Sequence, residues 1–179
     1  MKIALCIGHN EEKQGAIGSE GISEWDFNRA FVGELLEEID NSTHSFKVFH
    51  RLPFESYTKQ MTKLHSELND WDTELAISFH FNGSIDASVN GHEVLCCSPN
   101  GATYANKLND LFNNYLDNNN RGVKRREIDD RGGQFLCKGH YPCIMAEPFF
   151  GKYQYRYVKG GIRREALVQA YIDFFNNLI

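Results

Sequence analysis

The strongest constraint on this 179-residue chain is its alternation between two hydrophobic periodicities. Short, nearly continuous apolar runs recur at Lys2–Ile7, Phe46–Phe49, Leu75–Phe81, Glu93–Cys97, Gln134–Cys137 and Cys143–Glu147. Runs of this length, ended by glycine, proline or polar residues, read as buried strands. Between them, apolar residues return at three- and four-residue spacing. One stripe is Phe27, Ala30, Phe31, Leu35 and Ile39; a second is Tyr57, Met61, Leu64 and Leu68. A third is Tyr104, Leu108, Leu111, Phe112 and Tyr115, and a fourth is Ile162, Ala166, Leu167, Ala170, Tyr171, Phe174 and Leu178. This spacing marks helices with one apolar stripe. Strands that are apolar throughout need cover on both faces. The pattern therefore specifies an α/β single domain: a twisted, mostly parallel or mixed central sheet of about six strands with helices on both faces. No repeat or linker divides residues 1–179, which read as one domain. In such folds ligands gather at the carboxyl ends of the strands.

Composition narrows the function. With 41% hydrophobic residues, including 13 Phe and 8 Tyr, the chain has ample core material and is not disordered. Its formal charge of −5 argues against nucleic acid as a partner, because such binding draws on phosphate neutralisation. The one basic cluster, Arg121, Lys124, Arg125 and Arg126, is followed at once by Glu127, Asp129 and Asp130. The apolar stretch Ile3–Ile7 stops at Gly8-His9-Asn10, and no run approaches the ~20 residues that span a bilayer. Neither a signal peptide nor membrane insertion is expected, and the chain is expected to be made in the cytoplasm. Cys6, Cys96, Cys97, Cys137 and Cys143 are an odd number, read as reduced thiols.

Four side chains fall where a site in this fold belongs. His9 directly follows the first strand, although a loop histidine is also an ordinary surface group. Ser23-Glu24-Trp25-Asp26 fits a capping box ahead of the first helical stripe, with Ser23 as N-cap and Glu24 in the first turn. The helix dipole alone would account for a carboxylate there. His80 ends the strand Leu75–Phe81, where alternation puts Ser78, His80 and Asn82 on one side and Phe79 and Phe81 on the other. In isolation it reads as a core histidine. Taken together, however, two imidazoles and one carboxylate match the protein share of a catalytic zinc site. Glu147 ends the apolar strand Cys143–Glu147, where burial demands a partner; Arg131, Arg164 and a metal-bound water are the candidates.

The ordered set Gly8-His9-Asn10, Gly15 to Glu24, Ser78-Phe79-His80-Phe81-Asn82, Asn120-Arg121-Gly122-Val123-Lys124 and Ala146-Glu147-Pro148-Phe149-Phe150 resembles zinc-dependent N-acetylmuramoyl-L-alanine amidases over nearly the whole chain. The resemblance implies Zn2+ as cofactor, with His9, Glu24 and His80 as ligands and Glu147 as catalytic acid and base. It implies peptidoglycan as the partner, cleaved between N-acetylmuramic acid and the L-alanine of the stem peptide. Cys6, Ile7 and Asn10 depart from the residues usual around the first Gly-His, and Glu147-Pro148-Phe149-Phe150 resembles a subset associated with phage lysins. Released at lysis, such a lysin would act on the bacterial wall as a monomer.

Substrate contacts are assigned to Arg131, whose guanidinium suits a stem-peptide carboxylate, and to Asn82, two residues beyond His80. Other readings stay open. Cys137-x-x-His140-x-x-Cys143 has the spacing of three structural zinc ligands, and His92 is an alternative ligand. His44, His50 and His65 read as surface groups. A zinc peptidase would use the same set on peptide bonds, and a non-catalytic wall-binding module would need no Glu147.

Overall fold

In the computed structural model, residues 1–40, 42–54, 56–86, 88–152 and 162–178 are described. They form six strands and five helices around one sheet. The strands are β1 (Lys2–Ile7), β2 (Ser45–His50), β3 (Leu75–Phe79), β4 (His92–Cys96), β5 (Asn120–Arg125) and β6 (Cys143–Glu147). The helices are α1 (Glu24–Glu38), α2 (Tyr57–Asp70), α3 (Pro99–Tyr115), α4 (Gly133–Lys138) and α5 (Ile162–Asn176). The expected α/β architecture is present.

Strand order is β2-β1-β3-β6-β4-β5. The first four are mutually parallel, β4 runs antiparallel to β6, and β5 runs parallel to β4. The sheet is thus mixed, and the single reversal has a consequence for the site. It sets Glu93, near the start of β4, directly opposite Glu147 at the end of β6.

Strand alternation sorts the core into two layers. Ile3, Leu5, Ile77, Phe79, Val94, Ile144 and Ala146 face α1, α3 and α5, where Phe27, Phe31, Phe112, Tyr171 and Phe174 pack among them. Phe27 stacks on Phe31 at 6.1 Å, and other rings meet edge-on or tilted, as in Phe27–Phe149 at 5.2 Å and Phe31–Tyr171 at 5.5 Å. Each such buried aromatic contributes roughly 1.5–3 kcal/mol over exposure. The opposite face carries Ala4, Cys6, Ala76, Leu95, Cys143 and Met145 under α2 and α4. Serine oxygens cap three helices: Ser23 accepts from the Asp26 amide at 3.0 Å, Ser56 from Lys59 at 3.3 Å and Ser98 from Gly101 at 3.0 Å. Each cap satisfies an amide that the first helical turn leaves unpaired.

Three sequence expectations are corrected. Gln134–Cys137 belongs to helix α4, not to a strand; Phe135 and Leu136 are buried against the sheet, and an apolar run this short fits either state. The sixth strand is instead Asn120–Arg125, an edge strand whose side chains are half-buried or exposed and which therefore lacks an apolar run. Finally, Cys97 and Cys137 form a disulfide, so the cysteines are not all reduced thiols. The helical conformation of residue 137 brings its Cα within 5.5 Å of that of Cys97, across 40 residues of sequence. Cys6, Cys96 and Cys143 are free and buried. The Ile162 side chain of the fourth stripe lies outside the described residues, whereas Leu167, Ala170, Tyr171 and Phe174 are buried as expected.

Candidate metal centre and cleft

The carboxyl ends of β1 and β3 and the first residue of α1 converge on one point. His9, Glu24 and His80 each present a ligand atom there, all within 4.8 Å of one another, the only such cluster of three among the described residues. Each side chain is held by its local structure. The chain leaves β1 through His9 itself, whose φ of 64° is the left-handed region that non-glycine residues seldom adopt. Strain of this kind persists where surrounding contacts fix it. Buried Asn10 supplies one such contact, its Oδ1 accepting from the Lys13 amide at 2.8 Å and the Glu12 amide at 3.2 Å. The departure at residue 10 thus builds its own turn, and Cys6 only packs under α2.

Glu24 is 1% exposed, and both of its oxygens are engaged. Oε2 accepts from the Ala16 amide at 3.0 Å; Oε1 accepts from the Phe81 amide at 3.2 Å and lies 2.7 Å from His80 Nδ1. Burial pushes this carboxyl up, yet hydrogen bonds and charge from His80 and His9 outweigh it and hold Glu24 well below the usual carboxylate range. His80 is pushed down, mainly by burial, which favours the neutral imidazole that binds metals. Its Nε2 sits 3.0 Å from Ser78 Oγ, a contact that orients the ring and turns Nδ1 to Glu24. Gly15, at φ 80°, lets the backbone close over the trio, since a Cβ there would lie 2.5 Å from Glu24 Oε2 and 2.7 Å from the His9 ring.

These residues fit a divalent metal. His9 Nε2 is buried without a hydrogen bond, although it lies 3.2 Å from Glu24 Oε2. That spacing is near the ~3.3 Å separating two ligands of a tetrahedral zinc with metal–ligand bonds of ~2.0 Å. An orphaned imidazole nitrogen beside an ionised buried carboxylate is what a cation would satisfy.

His9 and His80 of the trio line a cleft of about 780 Å³, together with Ser78, Asn82, Glu93, Arg131 and Glu147. Glu147 is 8% exposed, and no ion pair joins it to Arg131 or Arg164. Arg164 instead pairs with Glu34 at 2.6 Å. Burial, then the charges of Glu24 and Glu93, push the Glu147 carboxyl up to about 8, against the pull of Arg131 and Arg126. A carboxyl poised near neutrality suits proton transfer. Glu93 is in turn fixed by Asn82 Nδ2 at 2.8 Å and Arg121 Nε at 3.1 Å. Asn82 therefore reaches the cleft while bonded to Glu93, and Arg131 stands exposed in the turn before α4.

The sequence reading missed Glu93, Arg51 and Arg126 as cleft residues. Arg51 directly follows β2, so the strand-end rule would have found it; Glu93 depends on the antiparallel register, for which no sequence signal exists. The other histidine alternatives do not join the cluster. His92 is fully buried and bonded to Asn118 at 2.6 Å. Cys137 is in the disulfide, Cys143 is buried and His140 is exposed, so the Cys-x-x-His-x-x-Cys spacing assembles no site. His50 is exposed as expected, but His44 and His65 are buried, bonded to Phe175 O at 3.0 Å and Tyr141 Oη at 2.9 Å.

The sequence matches the profile of N-acetylmuramoyl-L-alanine amidases over residues 3–171. The chain belongs to that family. No curated protein matches it. Among solved structures it is similar to the catalytic domain of an endolysin targeting Clostridia difficile, at 22% identity and TM-score 0.81 over 99% of this chain and 97% of that one. It is also similar to the catalytic domain of the amidase CwlV from Bacillus (Paenibacillus) polymyxa, at 17% identity and TM-score 0.76 over 98% and 97%. A third neighbour is the CwlD amidase of Clostridioides difficile, at 19% identity and TM-score 0.80 over 98% and 96%. At these identities the likeness carries the fold of the amidase catalytic domain. No helix among the described residues is long and apolar enough to cross a membrane.

Proposed function

We propose that residues 1–179 form the catalytic domain of a zinc-dependent N-acetylmuramoyl-L-alanine amidase that cleaves peptidoglycan for cell lysis. One observation carries the reading: His9 and His80 of the His-Glu-His donor trio line the same cleft as Glu147, a buried carboxyl pushed up to about 8. His9, Glu24 and His80 hold the zinc ion. Bound there, zinc supplies Lewis-acid polarisation of the amide carbonyl and acidifies water. Glu147 takes the proton of the attacking water as its oxygen bonds to the lactyl carbonyl carbon. As the C–N bond breaks, Glu147 returns that proton to the departing alanine nitrogen, because an unprotonated amine leaves poorly. The products are a free lactyl carboxylate and a peptide beginning with L-alanine. The lytic role is supported by the structural likeness to an endolysin domain and by the Glu147-Pro148-Phe149-Phe150 ending.

The test is digestion of purified peptidoglycan by zinc-loaded protein, with Glu147→Ala as control and labelling of newly freed amino groups. New N-terminal alanine that is absent with the variant is the expected result. New termini elsewhere in the stem would indicate a peptidase, and no release from several wall types would leave a binding module.

A further inference from the structure

Among the described residues the arginines divide into two groups. Arg29, Arg121, Arg125, Arg163 and Arg164 each have a carboxylate within 4.0 Å. Arg51, Arg126 and Arg131 line the cleft, and among the described residues none of them has an ion-pair partner. The Nε atoms of Arg51 and Arg126 are moreover buried without a hydrogen bond. Arg51 leaves the end of β2 and sits 5.5 Å above the Tyr57 ring, while Arg126 leaves the end of β5, anchored by its amide on Cys96 O at 2.8 Å. They flank the site: Arg51 acts electrostatically on Glu24 and His80, Arg126 and Arg131 on Glu147.

No carboxylate of the cleft pairs with them among the described residues: Arg126 and Arg131 act electrostatically on Glu147, but neither makes an ion pair with it. Glu93 is taken by Arg121 and Asn82, Asp130 accepts from the Glu127 amide, and Asp129 is exposed. A half-buried guanidinium without a partner is costly to keep, and its planar fork matches a carboxylate.

We propose that Arg51, Arg126 and Arg131 form a cradle for carboxylates of the stem peptide, so that the enzyme selects peptides whose carboxyl groups are free over those in which they are amidated. This rests on the amidase reading and names the substrate class for it. Arg131 is the exposed arm of the cradle; Arg51 and Arg126 are its half-buried, specificity-determining part.

The experiment compares kcat/KM on two soluble muropeptides that differ only in carboxyl amidation, using zinc-loaded protein. Wild type should favour the free form by ~10- to 100-fold, the worth of a charge-assisted hydrogen bond. Arg126→Gln should remove most of that preference by raising KM for the free form, with bound zinc unchanged by metal analysis. Arg126→Lys, which keeps the charge but not the fork, should fall between. Equal wild-type rates on the two forms would overturn the cradle, as would Arg126→Gln and Arg51→Gln losing the same factor on both. Absence of N-terminal alanine from either form would instead overturn the amidase reading beneath it.

Discussion

The two faces of the central sheet do different work with the same strands. On the side of α1, α3 and α5, β1, β3 and β6 contribute Leu5, Ile77, Phe79 and Ile144, sealed under aromatic rings. On the side of α2 and α4, the alternate residues, Met145 apart, are smaller or polar: Ala4, Cys6, Ala76, Ser78 and Cys143, then His80 and Glu147 at the strand ends. A one-residue step along a strand thus separates the sealed core from the candidate site. The second face is only partly roofed, and the gap is the cleft. The difference teaches that stability is concentrated where no reacting group sits, which leaves the open face free to hold groups that cost stability.

Substitutions on each face test this division. Glu147→Ala should lower kcat by about 10²–10⁴ while retaining zinc, the range for loss of a positioned acid or base. His80→Ala should lose both zinc and turnover, measured by metal analysis of the dialysed protein. On the sealed face, Phe174→Ala should cost about 3–5 kcal/mol of unfolding free energy in denaturant titration. Its kcat, measured where it remains folded, should match wild type. A Phe174→Ala protein that was stable but slow would break the division between the faces.

Legibility in the sequence follows the same division. The sealed face was readable because its helices repeat apolar residues at regular spacing, as in Phe27, Phe31 and Leu35, and its strands are apolar throughout. The donor trio was readable because each member sits at a strand end or helix start, where local pattern reports position. Edge strand β5 was not, since Asn120–Arg125 buries too little to need an apolar run. Helix α4 was mistaken for a strand because six residues are too few to display a period. Partners set by long-range register, Glu93 beside Glu147 and Cys97 beside Cys137, leave no local mark.

If the open face holds groups at a cost, removing one should stabilise the fold. Glu147 has its carboxyl pushed up to about 8 in the fold, first by burial, against about 4.3 in an unfolded chain. Between those values the native state binds more protons than the unfolded state, so stability declines as pH rises from about 4.5 to about 8. In metal-free protein Glu147→Gln should therefore be more stable than wild type by roughly 1–3 kcal/mol at pH 8, with the gain vanishing below pH 4.5. Thermal melts at both pH values would measure it. A variant with no gain at pH 8 would show that Glu147 ionises in the fold without penalty.

The smallest expected effect lies where the two faces meet. Helix α1 packs on the sealed face, yet its first residue, Glu24, belongs to the donor trio. Ser23 caps that helix, its Oγ accepting from the Asp26 amide at 3.0 Å and donating to Asp26 Oδ2 at 2.8 Å. Ser23→Ala should cost about 1 kcal/mol of stability, as for other N-caps. Glu24 is fixed by contacts that do not involve Ser23: the Ala16 and Phe81 amides and His80 Nδ1. Zinc affinity, measured by competition with a chelator, should therefore stay at the wild-type value. A loss of affinity larger than the loss of stability would mean that the cap positions Glu24 as well as the helix, and that packing on the sealed face is transmitted into the candidate metal site.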